Sequence, residues 1–160
     1  MNKAYLLIGG NLGDRAALQE SALAMIDRAP CRIVQRSSLY ETEAWGKTDQ
    51  PSFFNRCICV DTELMPEPLL ERLLEIEAAL GRVRTEKLGP RTVDIDILLY
   101  NDLILETDRL SLPHPGLPQR RFALEPLNEL APRLVHPSLQ LTISELLASC
   151  KDPLQVKKIN

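Results

Sequence analysis

The spacing of apolar positions changes several times along this chain, and each change marks an element. Residues 4–8 form a short apolar run closed by Gly9-Gly10-Asn11-Leu12-Gly13, which predicts a first strand ending in a tight turn. Asp14 is a good N-cap, and Leu18, Ala22, Met25 and Ala29 recur at helical spacing, so a helix follows to about Arg28 and stops at Pro30. Residues 32–43, with Ile33-Val34 and Leu39-Tyr40, predict a strand. A loop over 44–51 leads to another strand from Phe53 to about Thr62. Pro66-Glu67-Pro68 open a second helix, with Leu69, Leu70, Leu73, Leu74, Ile76 and Leu80 on its apolar face and Gly81 at its C-terminal cap. A last apolar strand starts at Val93. The final third is punctuated by Pro113, Pro115, Pro118, Pro126, Pro132, Pro137 and Pro153, with short helices expected over 119–130 and 142–149.

The order strand–helix–strand–strand–helix–strand is that of a ferredoxin-like βαββαβ unit. The expectation is an α+β fold: one sheet with helices packed on it and an additional proline-rich C-terminal part. No repeat, low-complexity tract or linker divides the sequence, so residues 1–160 read as a single domain. The glycine cluster lacks both the Gly-Lys-Ser/Thr ending of a P-loop and the Gly-x-Gly-x-x-Gly spacing of a dinucleotide site. A tight turn into the first helix explains it.

The last strand carries the strongest chemical signal. Gly89-Pro90-Arg91-Thr92-Val93-Asp94-Ile95-Asp96-Ile97-Leu98-Leu99-Tyr100 is an apolar, β-branched run interrupted by two aspartates. Alternation places Asp94 and Asp96 on one face, roughly 6–7 Å apart, and Val93, Ile95 and Ile97 on the other. Carboxylates on an otherwise buried strand need counter-charge. A divalent cation with oxygen ligands supplies it, and Arg91 points to phosphate. Taken alone, Asp-x-Asp is also the pattern of an ordinary strand with a solvated or Arg-paired face.

The preceding residues shift that balance. Residues 81–91 hold Arg82, Arg84, Lys87 and Arg91 against a single Glu86, in a chain of net charge −3. Most such runs are solvated loops. A cation-rich loop delivered beside two carboxylates is rarer, and phosphoryl transfer requires both: metal on the phosphate oxygens and Arg or Lys on the group in transit.

Composition narrows the function classes. At 160 residues, 44% hydrophobic and 26% charged, the chain has ordinary globular proportions, and no apolar run approaches the roughly 20 residues of a membrane span. The N-terminal apolar segment is too short for a signal peptide. The four cysteines have no Cys-x-x-Cys spacing and there are only two histidines, so buried thiols in a reducing cytoplasm are expected rather than structural zinc. The slightly acidic balance argues against nucleic-acid binding.

Two further constellations complete the candidate site. Phe53 and Asn55 share a strand face near Trp45, in a chain with only 4% aromatics. A ring beside an amide suits a flat heterocycle, although a core Phe and a strand-edge Asn read the same way. Arg109-Leu110-Ser111-Leu112-Pro113-His114-Pro115 reads as an extended segment presenting polar groups, followed by Arg120 and Phe122. His114 there is either a phosphate contact or a capped loop histidine.

Gly-Arg-Val-Arg at 81–84, Gly-Pro-Arg-Thr-Val-Asp-Ile-Asp-Ile-Leu at 89–98, Arg-Leu-Ser-Leu-Pro-His-Pro at 109–115 and Asp-Gln-Pro-Ser-Phe-Phe-Asn at 49–55 occur together. With them the chain resembles the 6-hydroxymethyl-7,8-dihydropterin pyrophosphokinases of folate biosynthesis, from Ile-Gly-Gly-Asn-Leu-Gly at 8–13 to Leu-Asn-Glu-Leu-Ala-Pro at 127–132. The resemblance implies that Asp94 and Asp96 hold two Mg²⁺ ions with ATP. It implies that Arg82 and Arg91 contact the phosphates during transfer, with Arg84 and Lys87 helping the loop close. It puts Arg109, Ser111, His114 and Arg120 on the ATP side. Phe53 and Phe122 would sandwich the pterin, Asn55 would bond its edge, and Thr42, Glu43 and Trp45 would add contacts. Ala44 stands where the family commonly has proline, and Leu88 where some members have an aromatic residue.

The implied reaction is in-line attack of the pterin hydroxymethyl oxygen on the β-phosphorus of ATP, with AMP leaving. Asp96 is a candidate acceptor for the hydroxyl proton, though metal coordination makes it a poor base. The substrates would be ATP and the pterin, with no nucleic acid or membrane partner, and a cytoplasmic monomer is expected. A non-catalytic ligand-binding module of the same topology would not need the paired carboxylates. An RNA-binding module would want exposed aromatics and a basic sheet face.

Overall fold

The computed structural model describes residues 1–43, 51–81 and 92–159. Trp45, Arg82, Arg84, Lys87 and Arg91, together with Ala44 and Leu88, lie outside the described residues. In chain order the elements are β1 (Asn2–Gly10), α1 (Arg15–Ile26), β2 (Cys31–Arg36), β3 (Tyr40–Thr42), β4 (Phe53–Thr62), α2 (Pro66–Ala79), β5 (Asp94–Tyr100), β6 (Leu105–Glu106), β7 (Ser111–Leu112), α3 (Arg121–Leu130), α4 (Ile143–Ser149) and β8 (Val156–Lys158). A 3₁₀ turn, Leu117–Gln119, precedes α3.

β1 lies between β4 and β5 and pairs antiparallel with both. The sheet runs β5-β1-β4-β3-β8, and β2 also pairs with β4. Helices cover both faces. Under α1 and α2, the alternate residues Ala4, Leu6 and Ile8 of β1 meet Ile58 and Val60 of β4 and Ile95 and Ile97 of β5. On the opposite face Leu7, Cys57, Leu98 and Leu99 pack against Leu117, Leu124, Leu127 and Ile143. Each fully buried Leu or Ile contributes about 1.5–3 kcal/mol of transfer free energy.

The helix ends follow their local chemistry. The Asp14 carboxylate accepts the Ala17 N–H at 3.1 Å and caps α1. α2 starts on Pro66 and leaves through Gly81 at φ +89°, a left-handed conformation that suits glycine.

Two sequence expectations need correction. The strand expected over 32–43 is divided in two. Ser37 interrupts it by taking the Cys57 N–H on its hydroxyl at 3.0 Å, and the Ser38 N–H goes to the Glu129 carboxylate of α3. Local side-chain bonding of this kind competes with a strand ladder. The glycine cluster is not wholly a turn either: Gly9 and Gly10 are the last residues of β1, paired with Asn55 and Phe54, and the turn begins at Asn11.

Candidate active site

The site begins with the register of the three central strands. Gly9 is paired with Asn55 of β4 on one side and with Asp94 of β5 on the other. Two residues along the same face, Leu7 stands between Cys57 and Asp96. The result is a floor of one glycine and one leucine, edged by an amide and two carboxylates. Alternation does place Asp94 and Asp96 together, half-exposed, while Ile95 and Ile97 are buried beneath α2. Glu77 of α2 fixes this end of β5, its buried carboxylate accepting the Ile95 N–H at 2.7 Å.

Gly9 is required by packing. A Cβ there would sit 2.5 Å from Asn55 Oδ1, so any larger residue would displace the amide. Gln19 of α1 ties the same strand ends together, its side-chain N–H₂ donating to the Ile8 carbonyl at 2.8 Å and the Phe54 carbonyl at 3.2 Å.

Two cavities open above this floor. The first is lined by Leu7, Gly9, Thr42, Glu43, Phe53, Asn55, Asp94, Asp96, Arg120 and Phe122. It brings together two rings, a buried amide and the Thr42 hydroxyl, which is buried and has no hydrogen-bond partner among the described residues. The rim is held from outside. The Arg15 guanidinium stacks 4.0 Å from the Phe54 ring centroid and donates to the Ser52 carbonyl and hydroxyl, both at 2.8 Å. The Asn11 amide donates to the Pro51 carbonyl at 3.0 Å.

The second cavity is lined by residues of β5, α2 and the 107–115 segment, among them Asp96, Arg109, Ser111 and His114. Asp96 borders both cavities. Arg109 pairs with Glu71 of α2, and Ser111 Oγ donates to Glu106 at 2.8 Å across the β6–β7 hairpin. His114 is fixed at three points. Its backbone N–H donates to the Leu98 carbonyl at 2.9 Å, its Nδ1 accepts the Gly116 N–H at 3.0 Å, and its Nε2 lies 4.0 Å from Asp96 Oδ2. Burial lowers its pKa to about 4, helped by the positive charge of Arg120 and opposed by Asp94. With Nδ1 accepting, the neutral ring carries its proton on Nε2.

Arg120, expected on the ATP side, lines the first cavity, 5.7 Å from the Phe122 ring centroid, and its charge also acts on His114. Its guanidinium packs over Gly116, where an added Cβ would meet Nε at 2.7 Å. The candidate residues within the described segments, Thr42, Glu43, Phe53, Asn55, Asp94, Asp96, Arg109, Ser111, His114, Arg120 and Phe122, therefore line one or both of two adjoining cavities. Sequence reasoning missed Leu7, Gly9 and Arg15. Only Gly9 left a signal, as a glycine at the end of an apolar strand.

The sequence model of the 7,8-dihydro-6-hydroxymethylpterin-pyrophosphokinase (HPPK) family matches residues 5–132. The chain belongs to this family. It is 45% identical over 160 residues to the 2-amino-4-hydroxy-6-hydroxymethyldihydropteridine pyrophosphokinase of Methylorubrum extorquens, covering 99% of both chains. The HPPK of the same name from Bacillus subtilis is 42% identical over 130 residues, 81% of this chain and 78% of that one. Among solved structures, an HPPK-DHPS in complex with substrates superposes with a TM-score of 0.75 at 17% identity. The Plasmodium falciparum HPPK-DHPS wild type with SDX-DHP gives 0.72 at 22%. Each match covers 92% of this chain but only 43% of the solved one, and at such identity it bears on the fold alone.

Proposed function

We propose that the first cavity receives the pterin, the second receives the nucleotide, and Asp94 and Asp96 serve the phosphates between them. The chain transfers a diphosphate group from ATP to 6-hydroxymethyl-7,8-dihydropterin, the reaction of folate synthesis that names its family. The single observation that carries the placement is Asp96, whose carboxylate borders both cavities.

The chemistry of each wall supports the division. Phe53 and Phe122 offer faces for a flat ring, while Asn55 and the Thr42 hydroxyl offer a donor, an acceptor and a rotatable O–H to its edge. Arg109, Ser111 and the Nε2–H of His114 offer donors to an anion. Arg120 adds a cation to the wall of the first cavity, and its charge is felt at His114 in the second. The roles of Arg82, Arg84, Lys87, Arg91 and Trp45 rest on the resemblance. Their cations would neutralise the diphosphoryl group in transit and the departing AMP.

The donor set fits magnesium. Two carboxylates on one strand face, with no larger His/Cys/Asp/Glu cluster among the described residues, suit an ion that takes one or two carboxylates and completes its shell with phosphates and water. Mg²⁺ held by Asp94 and Asp96, two ions by the family resemblance, would neutralise phosphate oxygens. The protein contributes alignment of the hydroxymethyl oxygen with the phosphorus and exclusion of water. Asp96, at the boundary of the cavities, is a candidate to take the hydroxyl proton, though a weak base once it holds a metal.

The strand order β5-β1-β4-β2, with α1 and α2 on one face, supports the ferredoxin-like reading. The proline-rich C-terminal part would then be the addition, carrying α3 and α4 onto the other face. Pairing of β8 with β3 supports one pyrophosphokinase domain over 1–160. Four free cysteines support a cytoplasmic setting, and among the described residues no helix is long and apolar enough to cross a membrane. The chain acts in this reading as a monomer.

Chromatography of the spent nucleotide tests the reaction. With ATP, Mg²⁺ and the hydroxymethyl pterin, AMP should form in step with pterin diphosphate. Stoichiometric ADP would overturn β-phosphorus attack.

A further inference from the structure

The N-terminus of α3 has no cap of its own: Arg120 occupies the N-cap position and makes no side-chain capping bond. The cap comes from far along the chain. Asp152, only 7% exposed, accepts the Arg121 N–H on Oδ2 at 3.1 Å and the Leu154 N–H on Oδ1 at 3.0 Å. Arg121 returns the contact, donating from Nε to the Asp152 carbonyl at 3.3 Å and from Nη2 to the Cys150 carbonyl at 2.9 Å. A carboxylate at this end of a helix satisfies an orphan N–H and meets the positive end of the dipole.

The place of this clasp is what gives it consequence. Arg121 is flanked by Arg120 and Phe122, which both line the same cavity as Phe53. A few residues further on, β8 pairs with β3, setting Thr42 opposite Val156. Thr42 belongs to the same cavity. One C-terminal strap therefore braces two walls, one through a ladder and one through Asp152. All of it lies beyond residue 132, where the family match ends.

We infer that Asp152 is a positioning residue for the pterin: by capping α3 it fixes Phe122 at the cavity wall. This rests on the reading that the Phe53–Phe122 cavity takes the pterin. A residue needed only for stability would lower the melting temperature and leave ligand preference alone. A positioning residue acts through Phe122, and its effect disappears when Phe122 is gone.

The test is a double-mutant cycle on the full chain, with pterin and ATP affinities measured separately by calorimetry. Asp152→Ala should weaken pterin binding about tenfold and ATP binding by less than about threefold, as loss of a charge-assisted hydrogen bond permits. Asp152→Asn, which keeps an oxygen for the Arg121 N–H, should recover most of the loss. Arg121→Ala removes the return bonds but leaves the backbone cap, so it should weaken the pterin severalfold even if Asp152→Ala folds poorly. In a Phe122→Ala background, Asp152→Ala should cost little more. Unchanged pterin affinity in Asp152→Ala, equal loss of both ligands, or effects that multiply with Phe122→Ala would overturn the inference. If Phe122→Ala itself leaves pterin affinity intact, the pterin placement falls and the inference with it. Loss in Phe122→Ala with none in Asp152→Ala removes the inference alone.

Discussion

One face of this sheet is built in two ways along its length. Toward one end Cys57, Leu98 and Leu99 disappear beneath α3 and α4, with Leu117, Leu124, Leu127 and Ile143 closing a dry core. Toward the other end the same strands carry Asn55, Gly9, Asp94 and Asp96 and remain open to a ligand. Leu7 belongs to both regions. The backbone ladder runs through both without a break in β1 and β4. What changes is side-chain size and charge, so the rigid half can hold the polar half in register without any loop of its own.

The sharpest way to break this comparison is to remove charge from the open half. Asp94→Asn or Asp96→Asn should lower turnover at least about a hundredfold, because electrostatic stabilisation of the phosphates is lost. The melting temperature should barely change, since both residues sit outside the packed core. A large fall in stability, or full activity in excess chelator, would show that the carboxylates are structural.

The converse experiment strikes the closed half. Leu124 is fully buried. Leu124→Ala should cost about 2–5 kcal/mol of stability in denaturant unfolding. The folded fraction should keep nearly normal turnover and metal dependence.

Gly9→Ala probes the seam between the halves. Its methyl would collide with Asn55 Oδ1, moving the amide and weakening the pterin about tenfold while sparing ATP. Equal effects on both ligands would show that the floor serves both cavities.

How far the sequence announced this arrangement depends on the kind of signal. Asp94 and Asp96 were legible because strand alternation is strict, and the ends of α2 because proline fixes φ at Pro66 and glycine admits the left-handed backbone at Gly81. The role of Gly9 was hidden. A glycine before Gly-Asn-Leu-Gly reads as part of a turn, and only the cross-strand approach of Asn55 reveals the requirement. The break at Ser37 was equally hidden, since its cause is a hydroxyl facing β4 and a glutamate on α3 distant in sequence. The proximity of Arg120 to Phe122 was available from the sequence, but its place in the wall of the first cavity depends on how α3 docks.

The smallest expected effect is a dependence on pH in the C-terminal part. His136 is buried, its Nδ1 accepts the Ser138 and Leu139 N–H groups at 3.2 and 3.1 Å, and burial holds its pKa below the usual histidine value. The unfolded chain therefore takes up this proton first as pH falls. Stability should decline as pH drops through the ordinary histidine range near 6.5 and level off below the depressed folded value. His136→Asn should flatten that part of the unfolding profile. An unchanged profile would mean that His136 contributes nothing to acid sensitivity.

The division of labour along this face is tested most directly by a crystal structure with the hydroxymethyl pterin, a non-transferable ATP analogue and Mn²⁺ located by anomalous scattering. The pterin should lie between Phe53 and Phe122, the metal against Asp94 and Asp96, and the nucleotide toward Arg109 and His114. A pterin in the cavity beside Ser111 and His114, or metal density away from both aspartates, would contradict the account.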